Sequence, residues 1–252
     1  MLNQPLLDKL SQLGLPAFRG ALVEQWQSPH YTDLSFEERL GLLLDLEVTR
    51  RRNNRLQRRL QQAHFPLPAT MEDLDLSPSR GLNRSQVLQL AQGEWVANHL
   101  NLLILGPTGA GKSYLAAALG RAACQQEYLV LFLRTSRFLQ SLELAHADGS
   151  YPQLLAKMAR THLLIFDDWL RDPLARSQAQ DLLEIVDDRY GRAATAVVTQ
   201  VPVADWHLRL PDPTLSDALL DRLIHNAYRL ELSGESRRKR LAPAMTPLTG
   251  EG

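Results

Sequence analysis

The sequence predicts an α/β protein in which a parallel sheet lies between helices, with a small all-helical domain before it. Two observations support this fold class. From residue 101 onward, short apolar runs typical of buried strands alternate with segments of helical periodicity, the pattern of a parallel sheet covered on both faces. Over residues 1–66 the chain is rich in Leu, Gln and Arg, and its apolar residues recur at helical spacing.

The composition excludes several classes of protein. The chain has 252 residues, 28 Lys and Arg against 28 Asp and Glu, and one cysteine. A single cysteine excludes a disulfide framework and a Cys-rich zinc site. No apolar run approaches the ~20 residues of a membrane-spanning helix. The N-terminal segment has an acid and a lysine within its apolar part, unlike a signal peptide. We therefore expect a cytoplasmic protein.

The N-terminal region contains start and stop residues for a long helix. Ser35 and Glu38 form a capping box, because the hydroxyl and the carboxylate can each satisfy a free backbone N–H at a helix start. The helix is predicted to run to Gln62, and Pro66 and Pro68 end it. Further helices are predicted near 5–13, 16–27 and 84–93. The predicted organisation is a helical domain over residues 1–66, a connector over 67–100, an α/β domain over 101–240 and a flexible tail over 241–252.

Five apolar runs and the helices between them predict the α/β domain. The predicted strands are Leu102–Leu105, Tyr128–Leu133, Leu163–Phe166, Ala194–Thr199 and Tyr228–Leu232. The predicted helices are Lys112–Cys124, Arg176–Arg189 and 213–226. In open α/β sheets, ligands bind at the carboxyl ends of the strands. Polar residues that follow a strand are therefore candidates for a functional site.

A phosphate-binding motif, GxxxxGK[ST], follows the first predicted strand and opens a predicted helix. Its residues are Gly106, Pro107, Thr108, Gly109, Ala110, Gly111, Lys112 and Ser113. The glycines let the backbone curl so that several N–H groups point at the phosphates, and the helix N-terminus adds a favourable dipole. Lys112 is expected to reach the β- and γ-phosphates, and the Ser113 hydroxyl to ligate Mg²⁺. A glycine turn without a ligand is the alternative, which the strand–loop–helix order disfavours.

Two acids at the end of the third predicted strand support the same site. Asp167 is placed to hold the Mg²⁺ shell, and Asp168 to orient or deprotonate the attacking water. Solvated acids at a strand end are the alternative. Together with the phosphate loop, the two acids predict an ATPase whose cofactors are ATP and Mg²⁺.

Several longer segments resemble a known family. In chain order they are SFEERLGLLLDLEVTRRRNNRL, LPATMEDLDLSPSRGL, LLILGPTGAGKS, LLIFDDW, TAVVTQVPVADWH and DALLDRLIHNAYRLELSGESRR. This order resembles the IstB-type transposition helper ATPases of bacterial insertion sequences, which are AAA+ proteins close to the DnaC helicase loaders. The resemblance covers residues 5–240 and implies an AAA+ P-loop NTPase fold.

The resemblance implies three further site residues. Gln200 matches a polar sensor of the γ-phosphate, with Thr199 as the fallback. Arg222 matches the arginine finger that reaches a neighbouring subunit's γ-phosphate. The alternative is a structural role for Arg222, in a salt bridge on an amphipathic helix. Arg238 matches the second sensor, with Arg237 as the adjacent alternative.

The resemblance also has two departures from the family pattern. Asp168 stands where that pattern usually has Glu, and Gln200 where it usually has Asn. Catalytic positioning is sensitive at the ångström scale. We therefore expect slow hydrolysis that depends on assembly.

The charges are segregated, so zero net charge does not exclude nucleic acid. A stripe without acids contains Arg51, Arg55 and Arg58, and a second basic cluster follows at 237–240. DNA, an acidic protein partner and simple solvation remain open for the stripe. In related initiators and loaders the region around the second strand faces DNA, which adds four candidate contacts: Arg134, Arg137, Lys157 and Arg160.

The resulting functional prediction is an ATP-dependent transposition helper. It binds Mg-ATP, self-assembles with ATP sites between subunits, deforms duplex DNA and recruits or activates a transposase. The alternative is a DnaC-like replicative helicase loader. A small-molecule P-loop kinase and a nucleotide-binding scaffold without hydrolysis are two further alternatives, and the kinase gives no role to Arg222.

Overall fold

The structure, a computed structural model, describes residues 3–234, so the predicted tail and the basic cluster at 237–240 lie outside it. The chain divides into two compact units between Arg58 and Arg59. Within residues 3–234, no helix is long and apolar enough to cross a membrane.

The first unit is helical. It contains α1 (Gln4–Gln12), α2 (Pro16–Gln27) and most of α3 (Phe36–Gln62). The predicted capping box is confirmed, since Ser35 N–H donates to Glu38 Oε2 at 2.8 Å and Glu38 N–H to Ser35 Oγ at 3.2 Å. These two bonds satisfy backbone donors that a helix start leaves free.

Glu47 of α3 caps the start of α2. Its carboxylate accepts from the backbone N–H groups of Ala17 at 3.0 Å and Phe18 at 3.3 Å. Arg51 donates to the same carboxylate at 3.0 Å and to the carbonyl of Gly14 at 3.3 Å. One member of the arginine stripe is therefore engaged in holding the first unit together.

The second unit contains a five-stranded sheet. The strands are β1 (Asn101–Leu105), β2 (Val130–Arg134), β3 (Leu163–Asp167), β4 (Ala194–Thr199) and β5 (Ala227–Glu231). All neighbours pair in parallel, in the order β2-β3-β4-β1-β5. The predicted fold class is confirmed. Strand β2 begins two residues later than predicted, because Tyr128 N–H bonds to the carbonyl of Ala123 and Leu129 N–H bonds to His162 Nδ1 instead of to a neighbouring strand.

Helices connect the strands and cover the sheet. They are α4 (Arg84–Ala91), α5 (Glu94–Ala97), α6 (Lys112–Gln125), α7 (Thr135–Asp148), α8 (Tyr151–Arg160), α9 (Arg176–Arg189) and α10 (Pro213–Ile224). On one face, Leu103, Leu164 and Val197 pack with side chains of α7, α9 and α10. On the other face α6 lies close to the sheet, since a Cβ on Gly120 would meet Ile165 Cδ1 at 2.8 Å. Strands β1 to β4 are thus largely buried, as their continuous apolar runs predict, whereas the edge strand β5 is mostly exposed.

Candidate nucleotide-binding site

The phosphate loop lies at the carboxyl end of the sheet. It connects β1 to α6, and β1 is flanked by β4 and β5. Asp167 ends β3 and Thr199 ends β4, so the polar residues that follow these strands face the same end as the loop. Parallel pairing alone brings these separate stretches of sequence together.

The backbone of the loop is curled by its glycines. Gly109 and Gly111 have φ values of +81° and +94°, a region that favours residues without a Cβ. Ala110 N–H donates to the carbonyl of Pro107 at 3.2 Å, and Lys112 Nζ donates to the same carbonyl at 2.9 Å. Burial lowers the pKa of Lys112, while the charges of Asp167 and Asp168 oppose this shift. The ammonium group therefore lies over the loop, close to where phosphates would sit.

Ser113 and Asp167 are in contact. Ser113 Oγ donates to Asp167 Oδ1 at 2.8 Å. Burial raises the pKa of the Asp167 carboxyl, and the bond from Ser113 opposes this change. Mg²⁺ prefers oxygen ligands and in nucleotide sites takes one or two from the protein and the rest from phosphate and water. The hydroxyl and the carboxylate fit that role.

Asp168 is held in a left-handed conformation with φ +56°. The next residue explains this conformation: Trp169 is fully buried, its N–H donates to the carbonyl of Val198 at 2.9 Å, and its own carbonyl accepts from Thr199 Oγ1 at 2.6 Å. The Asp168 carboxylate pairs with Arg134 Nε at 3.0 Å and with Arg171 Nη1 at 3.7 Å. The predicted water-activating acid is therefore bound by two guanidinium groups.

Gln200 is the sensor candidate that lies against the phosphate loop. Its side-chain carbonyl accepts from the hydroxyl of Thr108. Thr199, the fallback, is buried, and its hydroxyl donates to Trp169 and accepts from the N–H of Val201 at 3.0 Å. Both hydrogen bonds of the Thr199 hydroxyl are made within the protein, so Gln200 remains the candidate for the γ-phosphate sensor.

Arg222 lies at the opposite end of the sheet. Its carbonyl accepts from Asn101 Nδ2 at 2.8 Å, at the first residue of β1, whereas the phosphate loop follows the last. A strand of this length spans roughly 13 Å. The Arg222 side chain pairs with Asp187 and Asp221, each at 2.9 Å, and its guanidinium lies 5.7 Å from the Tyr190 ring. The hydrogen bond that Arg222 donates to Asp187 raises the pKa of Arg222.

The four candidate DNA contacts of the second unit fall into two places. Arg134 ends β2 and Arg137 is in the first turn of α7, both at the carboxyl end of the sheet. Lys157 and Arg160 are on the last turn of α8, at the amino end. These two line a cavity of about 730 Å³ together with residues that include Arg59, His64, Leu129, Val130 and Gln153. The four residues therefore do not form one patch.

The sequence reasoning missed Arg80. This buried residue precedes Gly81 in a short turn, and its guanidinium donates to the carbonyl of Ala110 in the phosphate loop. The only sequence signal near Arg80 is the segment SPSRG, whose residue types predict a turn and do not indicate a role for the arginine. The predicted second sensor, Arg238, lies outside residues 3–234.

The strand order, the phosphate loop after β1 and the acids at the end of β3 define the class of protein to which this fold belongs. The chain has the fold of an AAA+ P-loop NTPase. A model of the family described as IstB-like ATP binding protein matches residues 8–243, and the chain belongs to this family.

Individual proteins agree with this assignment. The chain is 44% identical over 239 residues to the putative insertion sequence ATP-binding protein y4pL of Sinorhizobium fredii, covering 95% of this chain and 98% of that protein. It is 45% identical over 244 residues to y4uH of the same organism, covering 97% and 98%. Among solved structures, the DnaC helicase loader superimposes with a TM-score of 0.55 at 19% identity, covering 66% of this chain and 97% of that one.

Proposed function

We propose that this protein is an ATP-dependent helper ATPase of an insertion sequence. In this proposal it binds Mg-ATP, assembles with copies of itself on duplex DNA, deforms the DNA and recruits or activates the transposase. It acts in the cytoplasm. The observation that carries the proposal is the distance between the two halves of the ATPase chemistry: Lys112, Ser113 and Asp167 gather at one end of the sheet, and Arg222 lies at the other.

The first half is proposed to bind the nucleotide. Lys112 contacts the β- and γ-phosphates, and Ser113 and Asp167 hold Mg²⁺, which neutralises charge on the transferring phosphoryl group. Gln200 reports the presence of the γ-phosphate, since its amide lies beside Thr108 of the loop.

The second half is proposed to come from a neighbouring subunit. A guanidinium offers fixed donors to the oxygens of a transferring phosphoryl group. Because Arg222 lies far from the loop of its own chain, it fits a role at the loop of another copy. Hydrolysis then requires an assembled protein.

Slow hydrolysis also follows from the surroundings of Asp168. The Asp168 carboxylate is engaged in ion pairs with Arg134 and Arg171, and these pairs compete with an attacking water for its oxygens. Its side chain is also one methylene shorter than that of Glu. We propose that ATP keeps the assembly together until the Asp168 ion pairs open.

The DNA contacts are proposed in three groups. The stripe on α3 offers Arg55 and Arg58, while Arg51 also pairs with Glu47. Arg134 and Arg137 form the second group, and Lys157 and Arg160 the third. Such contacts neutralise phosphates and carry little sequence information.

Light scattering with duplex DNA tests the proposal directly. We expect ATP-dependent assemblies on duplex DNA, and DNA affinity that falls steeply with salt. Replacing Arg55 and Arg58 by Gln should flatten the salt dependence by about one unit for each lost contact. A protein that stays monomeric with ATP and duplex DNA would overturn the proposal. Preference for single strands and a replicative helicase would favour the loader function instead.

A further inference from the structure

We propose that Arg80 is a positioning residue that holds the phosphate loop in its nucleotide-binding conformation. This inference rests on the proposed binding of ATP at that loop. The contact on which the inference rests is made to the backbone of the loop, at the carbonyl of Ala110.

The Arg80 side chain is buried, and it contacts both the loop and Asp75. One terminal nitrogen donates to the carbonyl of Ala110, and Asp75 Oδ2 lies 3.8 Å from Nε. Burying a guanidinium costs free energy unless its donors are bonded. The bond to the Ala110 carbonyl offsets part of this cost for Arg80, which lies in a short turn.

The carbonyl that Arg80 binds controls the direction of the next N–H group. A trans peptide unit is planar, so the carbonyl of Ala110 and the N–H of Gly111 point to opposite sides. Gly111 has φ +94°, and without a Cβ its peptide units rotate easily. By holding the Ala110 carbonyl outward, Arg80 keeps the Gly111 N–H directed into the concave side of the loop, where phosphate oxygens would accept it.

Arg80 also joins the loop to the end of β5. Its carbonyl accepts from Ser233 N–H at 2.9 Å, and Leu232 N–H donates to the carbonyl of Leu105 at 2.8 Å, one residue before the loop. A Cβ on Gly106 would collide with the carbonyl of Leu232, so the loop and this segment are in direct contact. Arg80 therefore sets the loop against the stretch of chain that leads to the basic cluster at 237–240.

The test compares Arg80→Met and Arg80→Lys with a matched control, Arg84→Met, which removes an exposed arginine four residues away. Titration with a fluorescent ATP analogue gives affinity, steady-state assays give KM and kcat, and circular dichroism gives the melting temperature. We expect Arg80→Met to weaken ATP binding and raise KM by about three- to thirtyfold, with kcat at saturating ATP nearly unchanged. Arg80→Lys should recover part of the affinity, and Arg84→Met should match the wild type.

Two results would overturn the inference. One is ATP affinity within twofold of wild type in a folded Arg80→Met protein. The other is a fall in kcat without a rise in KM. If Arg80→Met does not fold, Arg80→Lys decides: weaker ATP binding at an unchanged melting temperature supports the inference, and wild-type affinity rejects it. Unchanged ATP binding in Lys112→Ala would instead reject the proposed function, so the two failures are distinguishable.

Discussion

The carboxyl and amino ends of the sheet differ in how their functional residues are held. At the carboxyl end, Ser113 bonds to the buried Asp167 and the buried Arg80 bonds to the loop backbone, although the Gln200–Thr108 bond and the ion pairs of Asp168 at this end are exposed. At the amino end, Arg222 is held by ion pairs with the exposed acids Asp187 and Asp221.

This difference indicates which side chains are fixed by contacts within one chain and which could exchange their contacts for those of another molecule. Buried hydrogen bonds keep a site in one geometry, because breaking them leaves unsatisfied groups. Exposed ion pairs exchange readily with water and with other charges. Under the proposed function, Ser113, Asp167 and Arg80 are therefore held in place within one chain, whereas the ion pairs of Arg222 can exchange for a phosphate of a neighbouring subunit.

Removal of the Arg222 guanidinium gives the largest expected effect. Arg222→Ala should lower the turnover of the assembled protein by roughly 10³-fold and leave ATP affinity unchanged. Mixing it with Lys112→Ala should restore part of the activity, because an intact loop then meets an intact Arg222 at some interfaces. The measurement is phosphate release against mixing ratio. No rescue in well-formed mixed assemblies would place Arg222 outside the shared site.

Loss of the loop lysine should act within the single chain. Lys112→Ala is expected to weaken ATP binding by roughly a hundredfold, measured by calorimetric titration at concentrations where the protein is monomeric. Lys9→Ala, in α1, is the matched control and should bind as the wild type does. Normal affinity in Lys112→Ala would contradict a complete nucleotide half in one chain.

Freeing Asp168 should raise activity. Arg134→Ala removes the 3.0 Å ion pair, and we expect basal hydrolysis without DNA to increase about two- to fivefold. Arg137→Ala, three residues along the chain, removes a cation that is not among the ion-pair partners of Asp168 within residues 3–234, and it should leave the basal rate unchanged. Equal rates in all three proteins would mean that the ion pair does not restrain the acid.

The smallest effect is expected from the acid that holds Arg222. Asp187→Asn keeps the shape of the side chain and removes its charge, so Arg222 is released more easily. The protein concentration at half-maximal ATPase should fall about twofold, measured by titrating the enzyme. Asp188→Asn, its exposed neighbour on α9, is the control. A higher concentration for Asp187→Asn would indicate that Asp187 itself supports the subunit interface.

Local patterns predicted a large part of this molecule. The strand runs, the phosphate loop and the capping box of α3 all depend on residues within a few positions of one another, and the structure places them as expected. The choice between Thr199 and Gln200 was open from sequence, because it depends on Trp169, thirty residues away, which binds the Thr199 hydroxyl.

Chain position does not show where the four basic residues near the second strand lie relative to one another, and their contact with DNA stays a prediction. Arg134 and Lys157 flank the same pair of helices in sequence, but these helices carry the chain back from the carboxyl to the amino end of the sheet. Residues at the two ends of a connection between parallel strands must lie at opposite ends of the sheet.

By itself the sequence determined the α/β class and the phosphate loop, since apolar periodicity and the glycine–lysine–serine motif act over short distances, and the resemblance of several longer segments indicated the family. Only the tertiary structure decided that Arg80 reaches the loop, that Gln200 rather than Thr199 lies beside it, and that Arg222 is remote from it. Each of these depends on which strands are neighbours and on which polar groups must be satisfied once the sheet is buried. Those partners come from distant positions of the chain, and no local pattern specifies them.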